Sequence, residues 1–330
     1  MQVRSWYIII ISLTVCLTLL CTVAVILTAC NDSAPSATDP EITDAPTDPP
    51  TDPPTDPPTD PPTDPPTEPP TEPPTEPPTQ PPTVPSNNQL PANSPYTWEQ
   101  LLALDKTLQG YGPGSNKDSK NRPTWPISLT QKYGKYDTHF IAPDDGNIYL
   151  TFPCGYEYNN LTASILDTLK EKNVKAVFFV NMYFAKSNPN LIRRIIDEGH
   201  ILANHCANHP DLPNLSLEKI IKEIMDMHNY ILQNYGYTMN MFRPPSGYYS
   251  EQVFATAQAL GYKTVQYSFA YTDWDTSKQP DQAKSLEKLV NAAHSGAIYQ
   301  LHAISSTNAA ILGDAIDAFR AAGYTLALFE

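Results

Sequence analysis

The chain has 330 residues, 35 of them proline and five cysteine, and 35 acidic side chains against 21 basic ones give a net charge of -14. So acidic a balance excludes a general nucleic-acid binder, and so few cysteines over this length exclude a disulfide-built scaffold. The charge is uneven: residues 30–96 hold twelve of the acidic residues and no Lys or Arg, while the part after them carries 23 acidic and 20 basic residues, net -3.

In chain order, Arg4 precedes an uncharged apolar run from Trp6 to Ile26, closed by Leu27, Thr28, Ala29 and Cys30. A basic residue, an apolar stretch and small residues make residues 1–29 an export signal. The Leu-Thr-Ala-Cys ending resembles a bacterial lipobox, which implies cleavage before Cys30 and a lipid on its sulfur. The alternative is an uncleaved anchor, since about 20 apolar residues span a bilayer. On either reading the rest of the chain is extracytoplasmic, attached at the outer face of the cytoplasmic membrane.

Residues 30–96 are dominated by Thr-Asp-Pro-Pro repeats that drift to Thr-Glu-Pro-Pro and Thr-Gln-Pro-Pro. Paired prolines favour polyproline II and like charges resist collapse, so this reads as a disordered linker. Its repeats could extend about 120 Å, at roughly 3.1 Å per residue. That length suits a tether reaching into a cell wall.

From residue 97 to the C-terminus the composition is globular. Residues 147–152 read as a strand and 161–172 as a helix, with Ile165, Leu166 and Leu169 on one face. The run 176–180 is an uninterrupted apolar strand of the kind buried on both sides. A helix over 191–198, bracketed by Pro189 and Gly199, leads to a strand at 201–204. The pattern continues with a long helix at 216–235, a short strand at 241–243, a helix at 251–260 and a strand at 263–267. A helix near 281–293, a strand at 297–302 and a last helix before a strand at 325–328 complete it. Regular alternation predicts a parallel sheet with right-handed crossovers, in a barrel or partial barrel.

Such folds place their sites at the C-terminal strand ends. Those ends carry Pro153 and Cys154, Asn181, His205 and His209, Arg243, Asp273 with Trp274, and His302. His205 and His209 have the spacing of a paired metal site, and Cys154 is a candidate soft third ligand. His302 ends an apolar strand as a candidate acid or base, and Arg243 and Asp273 are able to pair.

The series TF..GYE, NH..NHPDL, RPPSG, DW and LH resembles the polysaccharide deacetylases of the NodB-homology type, carbohydrate esterase family 4. It is most similar to the delta-lactam-biosynthetic, peptidoglycan-acting branch. The resemblance runs from about residue 110 to the end and implies a distorted (β/α) barrel. It also implies a divalent metal, zinc by expectation, and hydrolysis of N-acetyl groups on cell-wall glycan. Carried over, His205 and His209 are the metal histidines, Arg243 and Asp273 a supporting catalytic pair, and His302 the general acid. The family's catalytic base is an Asp at the position of Pro153, so that role is vacant here, and the next position, an Asp or Asn in the family, is Cys154. Cys154 is therefore open to three readings: ligand, disulfide partner of Cys206, or buried thiol. A deacetylase with impaired chemistry and an inactive, tethered glycan- or metal-binding module both follow from the sequence.

Overall fold

Ten short strands carry the architecture in the computed structural model, which describes residues 90–330. In chain order they are β1 Gln109–Gly110, β2 Thr138–His139, β3 Asn147–Cys154, β4 Val177–Val180, β5 Ile201–Asn204 and β6 Met241–Phe242. β7 Tyr248–Tyr249, β8 Lys263–Val265, β9 Ala297–Gln300 and β10 Thr325–Ala327 follow. The leader, Cys30 and nearly all of the proline-rich segment lie outside the described residues.

The main sheet runs in the order β10-β3-β4-β5-β6-β8-β2, with β9 also paired to β3, and every pairing in it is parallel. β1 and β7 form a separate antiparallel pair. Beyond β8 the chain meets β9: Ser268 N donates to Ile298 O at 2.9 Å, and Gln300 N donates to Phe269 O at 2.9 Å. That irregular seam closes the curled sheet into the distorted barrel that the alternation predicted.

Side-chain alternation separates two apolar layers. Tyr149, Val177, Phe179, Ala203, Met241, Val265 and Ile298 form a cluster that contains no helical residue, so they point into the barrel. Ile148, Leu150, Phe152, Phe178, Val180 and Leu202 pack instead with Ile165, Leu169, Ile195 and Ile224 of the outer helices. The amphipathic helices form where the apolar spacing required them, at Leu161–Glu171, Pro189–Asp197, Leu217–Tyr235, Glu251–Ala259 and Gln282–Asn291. Helices at Trp98–Leu102, Thr124–Tyr133 and Met182–Ser187 were not evident from spacing. The first two pack on a third cluster with Phe140, Tyr249 and Phe254. Tyr96 joins that cluster and donates to Gln258 Oε1 at 2.8 Å, so packing contacts begin ahead of residue 97.

β3 is longer than the expected 147–152. The ladder to β4 continues through Pro153, opposite Phe179, and Cys154, opposite Val180. The proline is accommodated because its carbonyl faces Ala303 N at 3.4 Å, on the side where regular pairing with β9 has already ended.

Candidate active site

The C-terminal strand ends surround a cavity of about 590 Å³. Pro153, His205, His209, Arg243 and His302 all line it, with Asn181, Gln300 and Trp274. Asp273 stands behind His302, and Cys154 is turned away.

The two histidines are placed by a turn that Asn204 organises. Its buried amide donates to Ile224 O at 2.8 Å and to Tyr262 Oη at 3.1 Å, while its Oδ1 accepts from Cys206 N at 2.9 Å. Cys206 at φ 67° and His209 at φ 58° take left-handed conformations, which fold the loop back and bring the imidazole centroids to 4.8 Å. His205 Nδ1 lies 2.8 Å from Arg243 O; a carbonyl only accepts, so Nδ1 carries the proton and Nε2 is left as a lone-pair donor. Burial pushes the His205 pKa well below its ordinary value, with the neighbouring His209 acting in the same direction, and burial lowers that of His209 too. Both rings are neutral at pH 7 and suited to act as ligands.

Across the cavity, Asp273 is fully buried and accepts three times. His302 Nδ1 donates to its Oδ1 at 2.6 Å, and His302 N and Asn308 Nδ2 donate to its Oδ2 at 2.9 and 2.6 Å. The carboxylate fixes the ring's orientation and tautomer, which leaves Nε2 as the atom available to a ligand. This corrects the expected Arg243–Asp273 pair: Asp273 belongs to His302. Arg243 instead donates to Val265 O at 2.7 Å, Gln266 O at 2.8 Å and Gln300 Oε1 at 3.2 Å. Two backbone carbonyls at the end of β8 and the side-chain oxygen of Gln300 on β9 surround its guanidinium, and burial brings its pKa down to about 9.

Cys154 is corrected as well. Alternation along β3 directs Pro153 into the cavity and Cys154 into the outer apolar layer, where it is 0% exposed and its Sγ lies 3.6 Å from Phe152 O. Burial pushes its thiol pKa well above the ordinary value, which disfavours the thiolate a metal would need. Cys154 and Cys206 are both free thiols in that layer, so the disulfide reading does not hold either. A catalytic zinc site takes three protein ligands. Of the three imidazoles that line the cavity, His205 and His209 lie together while His302 is held by Asp273 across from them, and no group of three or more His, Cys, Asp or Glu suited to a metal occurs among the described residues. The donor set therefore falls one short of that pattern. No Asp or Glu lines the cavity. Glu157 accepts from Thr162 N at 3.3 Å at the start of a helix, so it does not replace a base at residue 153.

Sequence reading passed over Asn308 and Gln300. Gln300 had a signal, since alternation puts it on the inward face with Ile298 and His302; Asn308 lies inside the helix Ser306–Ala321 and had none.

Residues 141–265 match the polysaccharide deacetylase family. The chain is 40% identical over 193 residues to the peptidoglycan-N-acetylmuramic acid deacetylase PdaA of Bacillus subtilis, covering 58% of this chain and 73% of that protein. The solved structure of Bacillus subtilis PdaA, a family 4 carbohydrate esterase, superposes with a TM-score of 0.63 at 36% identity, over 67% of this chain and 95% of that one. A family 4 pseudoenzyme from Bacillus anthracis is similar at a TM-score of 0.54 and 25% identity, over 57% of this chain and 66% of that one. A mutant of that pseudoenzyme has restored enzymatic activity.

Proposed function

The chain belongs to the polysaccharide deacetylase family, carbohydrate esterase family 4, and on that premise we propose that it acts on N-acetylated cell-wall peptidoglycan, hydrolysing the acetamide of an amino sugar with only half of its proton-transfer machinery in place. The observation that carries this is the Asp273–His302 pair, with Asp273 fully buried and His302 Nδ1 held at 2.6 Å. When the C–N bond breaks, the departing amine needs a proton, and His302 Nε2 is the group placed to give it. Attack by water needs the opposite service, and Pro153 has no atom that accepts a proton. General-base assistance is worth roughly 10² to 10⁴ in rate, so turnover by the wild type is expected to be slow by that order.

Family 4 deacetylases are generally metal-dependent, and in this chain His205 and His209 are the residues that would hold the ion. Zinc is the metal we infer, because imidazole suits it. When bound, it would polarise the acetamide carbonyl. With two ligands the ion would be held weakly.

The alternative reading, an inactive glycan-binding module, is favoured by Pro153 itself and by the similarity to a family 4 pseudoenzyme. One experiment separates the two: acetate release from N-acetylated peptidoglycan fragments by wild type and by Pro153→Asp, with zinc or cobalt added. Slow release by wild type, rising by about 10² or more in the variant, supports the deacetylase. No release by wild type, with release by Pro153→Asp, sinks it in favour of the module.

We also infer the three-part organisation: a lipoprotein leader at 1–29, a linker at 30–96 and the deacetylase domain at 97–330. In that arrangement a lipid on Cys30 holds the chain at the outer face of the cytoplasmic membrane and the linker carries the domain into the wall. The Leu-Thr-Ala-Cys ending and the proline repeats support this reading.

A further inference from the structure

Arg243 is among the largest fully buried side chains of the described residues, 1% exposed, and it faces the cavity. A guanidinium has five N–H donors. Three acceptors are present, Val265 O, Gln266 O and Gln300 Oε1, and all are neutral. None of the ion pairs among the described residues includes Arg243. A buried cation without a counter-ion is costly, and the planar fork of arginine matches a carboxylate in shape and charge.

The place where a counter-ion fits follows from register. The guanidinium carbon lies 4.1 Å from the centre of the Phe179 ring, and Phe179 is the partner of Pro153 across β3 and β4. Gln300, which Arg243 contacts, is the partner of Thr151 across β3 and β9. Arg243 thus sits between the two strands that flank β3, at the end where Pro153 borders the cavity.

We propose that the cavity binds a small monocarboxylate of the formate and acetate class against Arg243, beside Pro153, and that the bound ion supplies the proton-accepting oxygen that residue 153 lacks. The second half rests on the deacetylase reading above. The bound carboxylate takes one proton from water as the water oxygen bonds to the acetamide carbon and the carbonyl π pair moves onto its oxygen. When that pair returns, the C–N bond breaks, the nitrogen takes the Nε2 proton of a doubly protonated His302, and the free amine leaves with acetic acid, which releases its own proton to solvent as acetate. The proton held by the carboxylic acid then returns to His302.

The test titrates the full chain with ¹³C-formate at constant ionic strength, followed by NMR, alongside acetate release. Pro153→Asp and Gln300→Glu each place a carboxylate next to Arg243 without removing it, so they serve where an Arg243 variant fails to fold. Saturable binding to wild type, weakened by about tenfold or more in both variants, is expected. Formate should also accelerate wild-type acetate release with the same saturation, and leave Pro153→Asp unaffected. No saturable binding, or equal binding to all three proteins, overturns the site. Binding without acceleration, in a protein whose Pro153→Asp variant turns over, overturns the proton-accepting role. Intact binding with no turnover in any form is the failure of the deacetylase reading and leaves the carboxylate site standing.

Discussion

At Asp273 one carboxylate oxygen holds the His302 ring at 2.6 Å while the other takes two N–H donors. Replacing it with Asn removes the charge that stabilises a protonated His302 but keeps the shape. In whichever of wild type or Pro153→Asp turns over, Asp273→Asn is expected to lower kcat by about 10²-fold and to move the alkaline limb of the pH–rate profile to lower pH, because a general acid works only while protonated. An unchanged profile would contradict the role given to His302. Cys154 offers a sharper separation, because parity along β3 puts it in the outer layer. Zinc binding followed by competition with a chromogenic chelator should be lost in His209→Ala and stay within about threefold of wild type in Cys154→Ala. The histidine pair and His302 were legible as residues because their strand-end placement follows from spacing. The partner of Asp273 was not, because two residues 29 apart meet only through the closure of the barrel.

The strands reveal a second level of control, at the seam that closes the barrel. His294 Nδ1 donates to Ala292 O at 2.7 Å, and its Nε2 accepts from Ser268 Oγ at 2.9 Å, which in turn accepts from Ile298 N at 2.9 Å. At the entry to β5, His200 Nδ1 accepts from Ala176 N at 3.1 Å. Both networks need a neutral ring, and burial pushes both pKa values down to about 4. The unfolded chain takes up these protons near pH 6.5, while the folded protein resists until about 4. Their contribution to stability is therefore complete above about pH 6.5 and falls as the pH drops toward 4, by up to roughly 1.4 kcal/mol per pH unit for each ring. Urea unfolding at pH 7.5, 6 and 5 should show a falling midpoint, and His294→Gln should flatten that slope. Most helices and central strands were readable from apolar periodicity. β1, β2 and β7, two residues each, are too short for any period to register and exist only because partners meet them.

Across the whole molecule, the organisation we propose assigns reach to the acidic, proline-rich stretch and chemistry to the near-neutral remainder. If Cys30 carries the lipid, Cys30→Ser should move the protein from the membrane fraction to the soluble extracellular fraction while leaving acetate release by the purified protein unchanged; retention in the membrane would instead indicate an uncleaved anchor. The sequence by itself determined the alternation of strands and helices, the family, the histidine pair and the proline at position 153, because each is carried by residue type and by spacing within one segment. Only the tertiary structure decided that Cys154 faces the helices, that Asp273 holds His302 and that Arg243 has no counter-ion among the described residues. The reason is physical: side-chain direction along β3 depends on where its ladder continues past the proline, and pairing among distant charges depends on which strands the barrel brings side by side.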